Sequence, residues 1–122
     1  MLIGFTIPGP LLPWKRTNTL QGRRVADAKQ KAQQARIQMA WLSDNPSSIR
    51  KHWPKDKYYA VQIELRYPDR RVRDIDNCAK QILDALEGVA WNNDSRVWEL
   101  EIVREIADEA QTKVFIHTMD EP

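Results

Sequence analysis

Residues 58–88 read YYAVQIELRYPDRRVRDIDNCAKQILDALEG, and the change of period inside this stretch decides the fold. Tyr59, Val61, Ile63, Leu65 and Tyr67 alternate with Tyr58, Ala60, Gln62, Glu64 and Arg66, the period-two signal of a strand with one buried face. The charged segment PDRRVR (68–73) leads into a helix from about Asp76 to Glu87. Its core stripe is Cys78 or Ala79, Ile82, Leu83 and Leu86, and Gly88 closes it as a C-terminal cap.

Upstream, LIGFTI (2–7) reads as a short strand stopped by Pro8, Gly9 and Pro10. A loop through Leu11, Leu12, Pro13 and Trp14 then carries the basic pairs Lys15-Arg16 and Arg23-Arg24. From about Val25 to Leu42, Ala28, Ala32, Ala35, Met39 and Leu42 recur at spacings of three and four, which predicts an amphipathic helix with those residues as its apolar face. Ser43 to Ser48 are turn formers, and residues 49–56 read as a basic surface loop. Downstream of the turn-like Asn92-Asn93-Asp94-Ser95, residues 96–104 alternate as a strand. Residues 112–118 form a last strand, joined to it by a hairpin or a tight connection at 107–110. This order implies an α/β (α+β) fold: one domain over residues 1–122, a small mixed sheet of about four strands, and two main helices on a face. Trp41 and Trp98 fall on apolar stripes and are expected in the core. Trp14 and Trp53 lie among basic loop residues, where a ring either stacks on a base or covers the core edge.

The 122 residues carry a formal net charge of only +2, but the two ends have opposite signs. Residues 1–73 hold 15 Lys and Arg against 5 Asp and Glu, whereas residues 74–122 hold 4 against 12. A basic segment of this kind suits a polyanionic partner, or else forms solvated helix and loop faces. No apolar run reaches the length of a membrane span and the N-terminus lacks a secretory pattern, so a soluble, cytoplasmic protein is expected. The single cysteine, Cys78, excludes an internal disulfide and reads as a small buried side chain.

The chemistry concentrates between Asp74 and Asp94. On a helix starting near Asp76, the residues Asp76, Lys80 and Asp84 share the face opposite the apolar stripe. Asp74 lies two residues earlier, on the same side of an extended connection. One reading is structural: Asp76 caps the helix, and Asp76–Lys80 and Lys80–Asp84 are i,i+4 pairs. It leaves Asp74, Asn77 and Asp94 unexplained. The other is that close carboxylates require a cation, and hard oxygen donors at this density suit Mg2+ or Mn2+, which beside a basic surface is the equipment for hydrolysing a phosphodiester.

The segment Asp74, Asp76, Asn77, Lys80, Asp84, Ala85 and Leu86, with Asp94 in the later turn, resembles the RusA-type Holliday junction resolvases, a family common in prophages. The opening strand, the Pro-Gly turn and the basic loop before a helix are similar as well. The resemblance implies a homodimer that binds four-way DNA junctions and makes paired symmetric cuts with Mg2+, for which Mn2+ is a possible substitute. Asp74, Asp76 and Asp94 would be the metal-binding catalytic aspartates, and Lys80 the essential lysine in reach of the scissile phosphate. Lys15, Arg16, Arg23, Arg24, Arg71, Arg73 and Asn77 are expected to contact DNA, while Asp84 supports Lys80 or the helix. In one respect the chain departs from the pattern: the first Asp of the family's Asp-Asp pair is Asn93. Two rival functions follow. One is a DNA-binding or assembly protein on the same fold without catalysis or junction selectivity. The other is a nucleotide-sugar transferase using Asp-x-Asp, against which the short chain and the lack of a Gly-rich phosphate loop both argue.

Overall fold

Strand β1 (Leu2–Pro8), helix α1 (Leu20–Asp44), a short helix α2 (Ser47–Arg50), β2 (Tyr58–Tyr67), α3 (Ile75–Leu86), β3 (Val97–Ile106) and β4 (Gln111–Met119) follow one another along the chain. They are seen in a computed structural model that describes residues 1–12, 20–71 and 73–120, the side chains of residues 20–27 excepted. The strands form one mixed sheet in the order β1-β4-β2-β3. Here β4 runs antiparallel to both neighbours and β3 runs parallel to β2. This is the expected α/β class, with α1 and α3 packed together on one face of the sheet.

Of the two connections expected between the last two strands, the tight one at 107–110 is formed and the hairpin is not: β3 pairs with β2, and β4 with β1 and β2. Their short connection instead steps over the end of β2, where the Ala107 N–H donates to the Tyr67 carbonyl at 2.9 Å. Gly9 N–H donates to the Ala110 carbonyl at 3.1 Å on the far side. The apolar alternation explains the placement. Val61, Ile63, Leu65, Val114 and Ile116 are all buried and hold the centre, while β3, with Glu99, Glu101 and Glu105, takes an edge where charge is tolerated.

Helix α1 is longer than expected, and its apolar face is not the buried one. Ala28, Ala32, Ala35, Met39 and Leu42 are exposed, whereas Gln33, Ile37, Ala40 and Trp41 face β1 and α3. The alanines make the more regular stripe, but Ile37 and Trp41, one turn apart, bury far more surface and orient the helix. Gln33 is the polar member of this face and is fully occupied. Its amide bonds the Gln81 side chain on α3 and both backbone groups of Leu12.

Trp98, expected in the core, is 56% exposed. A bulge between Tyr59 and Ala60 in the pairing with β3 leaves Trp98 an extra residue, turned against Tyr58 with ring centroids 5.4 Å apart. Trp41 is buried as expected, and Trp53 covers the core edge. The segment read as a basic surface loop contains the end of α2 and closes over Trp53. Cys78 is buried, and burial pushes its thiol up from its ordinary value. Trp14 lies outside the described residues.

Candidate functional site

Helix α3 organises the acidic residues. It begins two residues earlier than the capping account requires, with Asp74 rather than Asp76 at the N-cap position, and the Asp74 side chain makes no capping hydrogen bond. Asp76 sits in the first turn, where its Oδ1 accepts from the Asn77 N–H at 3.1 Å. Neither of the expected i,i+4 ion pairs is formed. Among the described residues the ion pairs are Arg66–Glu64, Arg66–Glu105 and Arg73–Asp69, so Lys80 is exposed on α3 with no carboxylate partner. Capping and helix pairing therefore do not account for Asp74, Asp76 and Lys80.

Asp94 is built differently. It opens a single 3-10 turn, Asp94–Arg96, after the tight turn in which Gly88 (φ +83°) leaves α3. Its Oδ1 accepts from the buried Trp91 indole N–H at 2.7 Å, and its backbone N–H donates to Glu87 Oε2 at 3.1 Å. Partial burial pushes its carboxyl up from the ordinary range. The Trp91 bond opposes this, and the neighbouring Glu87 and Asp84 carboxyls reinforce it. Asn93 serves the local backbone. It precedes the 3-10 turn, and its Oδ1 accepts from the Ser95 N–H at 2.9 Å, a capping role that asparagine fills well.

The acids thus divide between the two ends of α3. Asp74 and Asp76 stand at its start, whereas Asp94 meets Glu87 and Asp84 at its other end, and two helical turns put Asp84 ~12 Å along the axis from Asp76. Among the described residues no three His, Cys, Asp or Glu side chains are grouped to hold a metal ion. The oxygen donors have the right chemistry for Mg2+, but among the described residues they do not form a closed protein cage. Asp84, expected to support Lys80 or the helix, makes no ion pair with Lys80, and its charge helps to raise the Asp94 carboxyl. Glu87 and Trp91 are not among the residues that sequence reasoning selects. The signals that point to them are the i,i+3 spacing of Asp84 and Glu87, and a tryptophan three residues before Asp94.

The DNA-binding candidates also separate. Arg73 is spent inside the protein. Its guanidinium lies 3.8 Å from the Tyr67 ring centroid and forks onto Asp69 at 2.8 and 3.3 Å. Arg71 is exposed, its backbone N–H held by Asp69 at 2.9 Å. Asn77 Oδ1 accepts from Gln81 Nε2 at 3.0 Å, which ties the start of α3 to the joint that Gln33 and Gln81 make with Leu12. Lys15 and Arg16 lie outside the described residues, and Arg23 and Arg24 are on α1 with side chains outside them.

Residues 14–117 match the family model described as Endodeoxyribonuclease RusA, a span that contains both ends of the acidic helix and the Asp94 turn. The chain belongs to the RusA family of endodeoxyribonucleases. RusA membership makes it a nuclease that hydrolyses DNA within the strand, with DNA as its partner. No curated protein matches the chain. No helix among the described residues is long and apolar enough to cross a membrane.

Proposed function

We propose that this RusA-family protein is a cytoplasmic, Mg2+-dependent, structure-selective endodeoxyribonuclease. It would resolve four-way (Holliday) DNA junctions in recombination and repair by paired symmetric cuts, acting as a homodimer. The observation that carries the reading is the RusA match across residues 14–117, which includes the Asp74–Asp94 segment. Lys80 adds support, because an exposed ammonium without a carboxylate partner is available to a phosphate. Asp74, Asp76 and Asp94 are the proposed metal ligands, and Mn2+ is the proposed substitute. Mg2+ is commonly held by one or two carboxylates together with substrate phosphates, so a site without a closed cage is compatible with an ion completed by DNA. When bound, the ion would activate water and offset charge on the leaving oxygen. The chain's own part is to hold Asp94 against Trp91, to keep Asp74 and Asp76 free of capping, and to set Lys80 beside the strand.

The test compares a labelled four-way junction with a matched linear duplex, with and without Mg2+. Paired nicks on the junction that require Mg2+ are expected. Asp74→Asn, Asp76→Asn and Asp94→Asn should each abolish cleavage and leave junction binding intact, because removing negative charge does not weaken attraction to phosphates. Full cleavage by one of them removes that residue from the site. One observation favours a second reading, a DNA-binding protein with impaired catalysis: the neutral Asn93 is engaged in capping where the family pattern has an acid. Metal-dependent cleavage of any DNA substrate excludes it.

A further inference from the structure

An open groove of about 390 Å³ lies between α2 and residues 88–89, within the size range of sites that take small-molecule groups. Its walls carry Arg50, Lys51 and Lys55, and its floor includes Trp53. No carboxylate neutralises these three cations among the described residues. Arg50 is oriented by its Nε–H, which donates to the Asn45 carbonyl at 2.7 Å and leaves the terminal nitrogens for another acceptor. Three hydrogen bonds fasten the wall to the acidic turn. The Trp53 indole donates to the Ala90 carbonyl at 2.8 Å, the Asn92 N–H to the Lys55 carbonyl at 3.0 Å, and the Lys55 ammonium to the Gly88 carbonyl at 3.4 Å. Basic groove and Asp94 are therefore parts of one stapled turn.

We infer that this groove seats a phosphodiester of the bound DNA strand beside the segment that passes Asp94. The inference rests on the endonuclease reading and adds to it a contact outside the acidic helix. Three un-neutralised cations converging on one open groove select a polyanion, and their attachment to the Asp94 turn fixes the register between a held phosphate and the acidic residues. Trp53 is the buried support and not a stacking platform, because its ring is covered and its N–H is taken.

The test measures binding of a fluorescent four-way junction by anisotropy across a salt series in the absence of Mg2+. It compares the intact protein with the triple variant Arg50→Gln, Lys51→Gln, Lys55→Gln, with Lys51→Gln alone, and with Lys113→Gln on the opposite face of the sheet. The triple variant should bind about tenfold more weakly at low salt, with the log–log salt slope flatter by about one for each phosphate released. Lys51→Gln, at an exposed side chain whose loss does not threaten the fold, should show part of the same change, and Lys113→Gln none. A slope unchanged in both groove variants overturns the inference. So does competition by inorganic phosphate in the intact protein without any change in the DNA slope, which would mark a free-anion site. Intact protein that binds junctions through these residues but never cuts them sinks the nuclease reading and leaves the groove standing. Failure to bind DNA at all overturns both.

Discussion

Trp91 turns packing into position. Its ring is fully buried at the end of an aromatic chain, Phe5–Trp41–Trp53–Tyr59–Trp91, whose successive centroids lie 5.5 to 6.0 Å apart, so the N–H that meets Asp94 Oδ1 is anchored from β1 across the core. Trp91→Phe keeps an aromatic ring and deletes the donor. A hydrogen bond to a charged group contributes ~1.5–3 kcal/mol, so unfolding in urea should show a loss in that range. Cleavage should fall roughly tenfold or more, since misplaced catalytic groups are costly. A destabilised variant that cuts at the full rate would deny Trp91 any positioning role. Asp69 offers a test by pH. The Arg73 side chain first, and then the Arg71 N–H, holds its carboxyl down at about 2, below the ordinary 3.8. A depressed acid adds stability that is complete above the unfolded pKa and lost as pH falls through the folded one. Thermal melts of the intact protein and Asp69→Asn should therefore differ above pH 4 and converge toward pH 2. A constant difference over that window would show that the pair contributes nothing through ionisation.

Helix α1 shows how an element can be right in kind and reversed in orientation. Ile37→Ala, at a buried site between α1 and the sheet, should cost about 2–5 kcal/mol in urea unfolding, whereas Met39→Ala, two residues on and exposed, should stay within about 0.5 kcal/mol. Equal losses would mean the helix packs by its alanine stripe after all. The reason for the reversal is that periodicity reports spacing without size: Ala28, Ala32 and Ala35 repeat cleanly but bury little. β2 and α3 are legible because their large apolar residues and their period coincide, as in Val61, Ile63 and Leu65, or in Ile82 and Leu86. The neighbours of β3 are not legible, since alternation says which face is buried and nothing of which strand lies alongside. At the site, Asp74, Asp76 and Lys80 can be read from local spacing on one helix. The company of Asp94 cannot, because its bond to Glu87 and its exposure to the Asp84 charge depend on how the chain turns at Gly88 and on where Trp91 is anchored.

At the scale of the molecule, α1 packs on β1 and α3 reaches β3, but the helices leave part of the β3 edge uncovered. Leu100 and Ile106, on the helix side of that edge, are 46% and 55% exposed, beside a partly buried Ile102. The stripe on α1 is a second exposed apolar surface among the described residues, but it is mostly alanine and flanked by Lys29, Lys31 and Arg36, which repel a second copy of themselves. A four-way junction has near two-fold symmetry, and paired cuts call for two equivalent sites, which a C2 dimer supplies. The β3 margin is accordingly the surface proposed to meet a second copy. Direct strand-to-strand pairing is opposed by Glu99, Glu101 and Glu105, so the contact should run through the apolar side chains on the helix side and not through a continued ladder. Light scattering of the free protein should give about twice the 14.3 kDa chain mass. Leu100→Glu with Ile106→Glu should reduce it to the single-chain value and convert paired cuts into isolated nicks, while Met39→Lys with Leu42→Lys should leave the mass doubled. A doubled mass that survives the β3 changes and collapses with the α1 changes would move the interface to α1. A single-chain mass for the unaltered protein at micromolar concentration, with one nick per encounter, would remove the dimer and the paired-cut mechanism while leaving the family's nuclease chemistry in place.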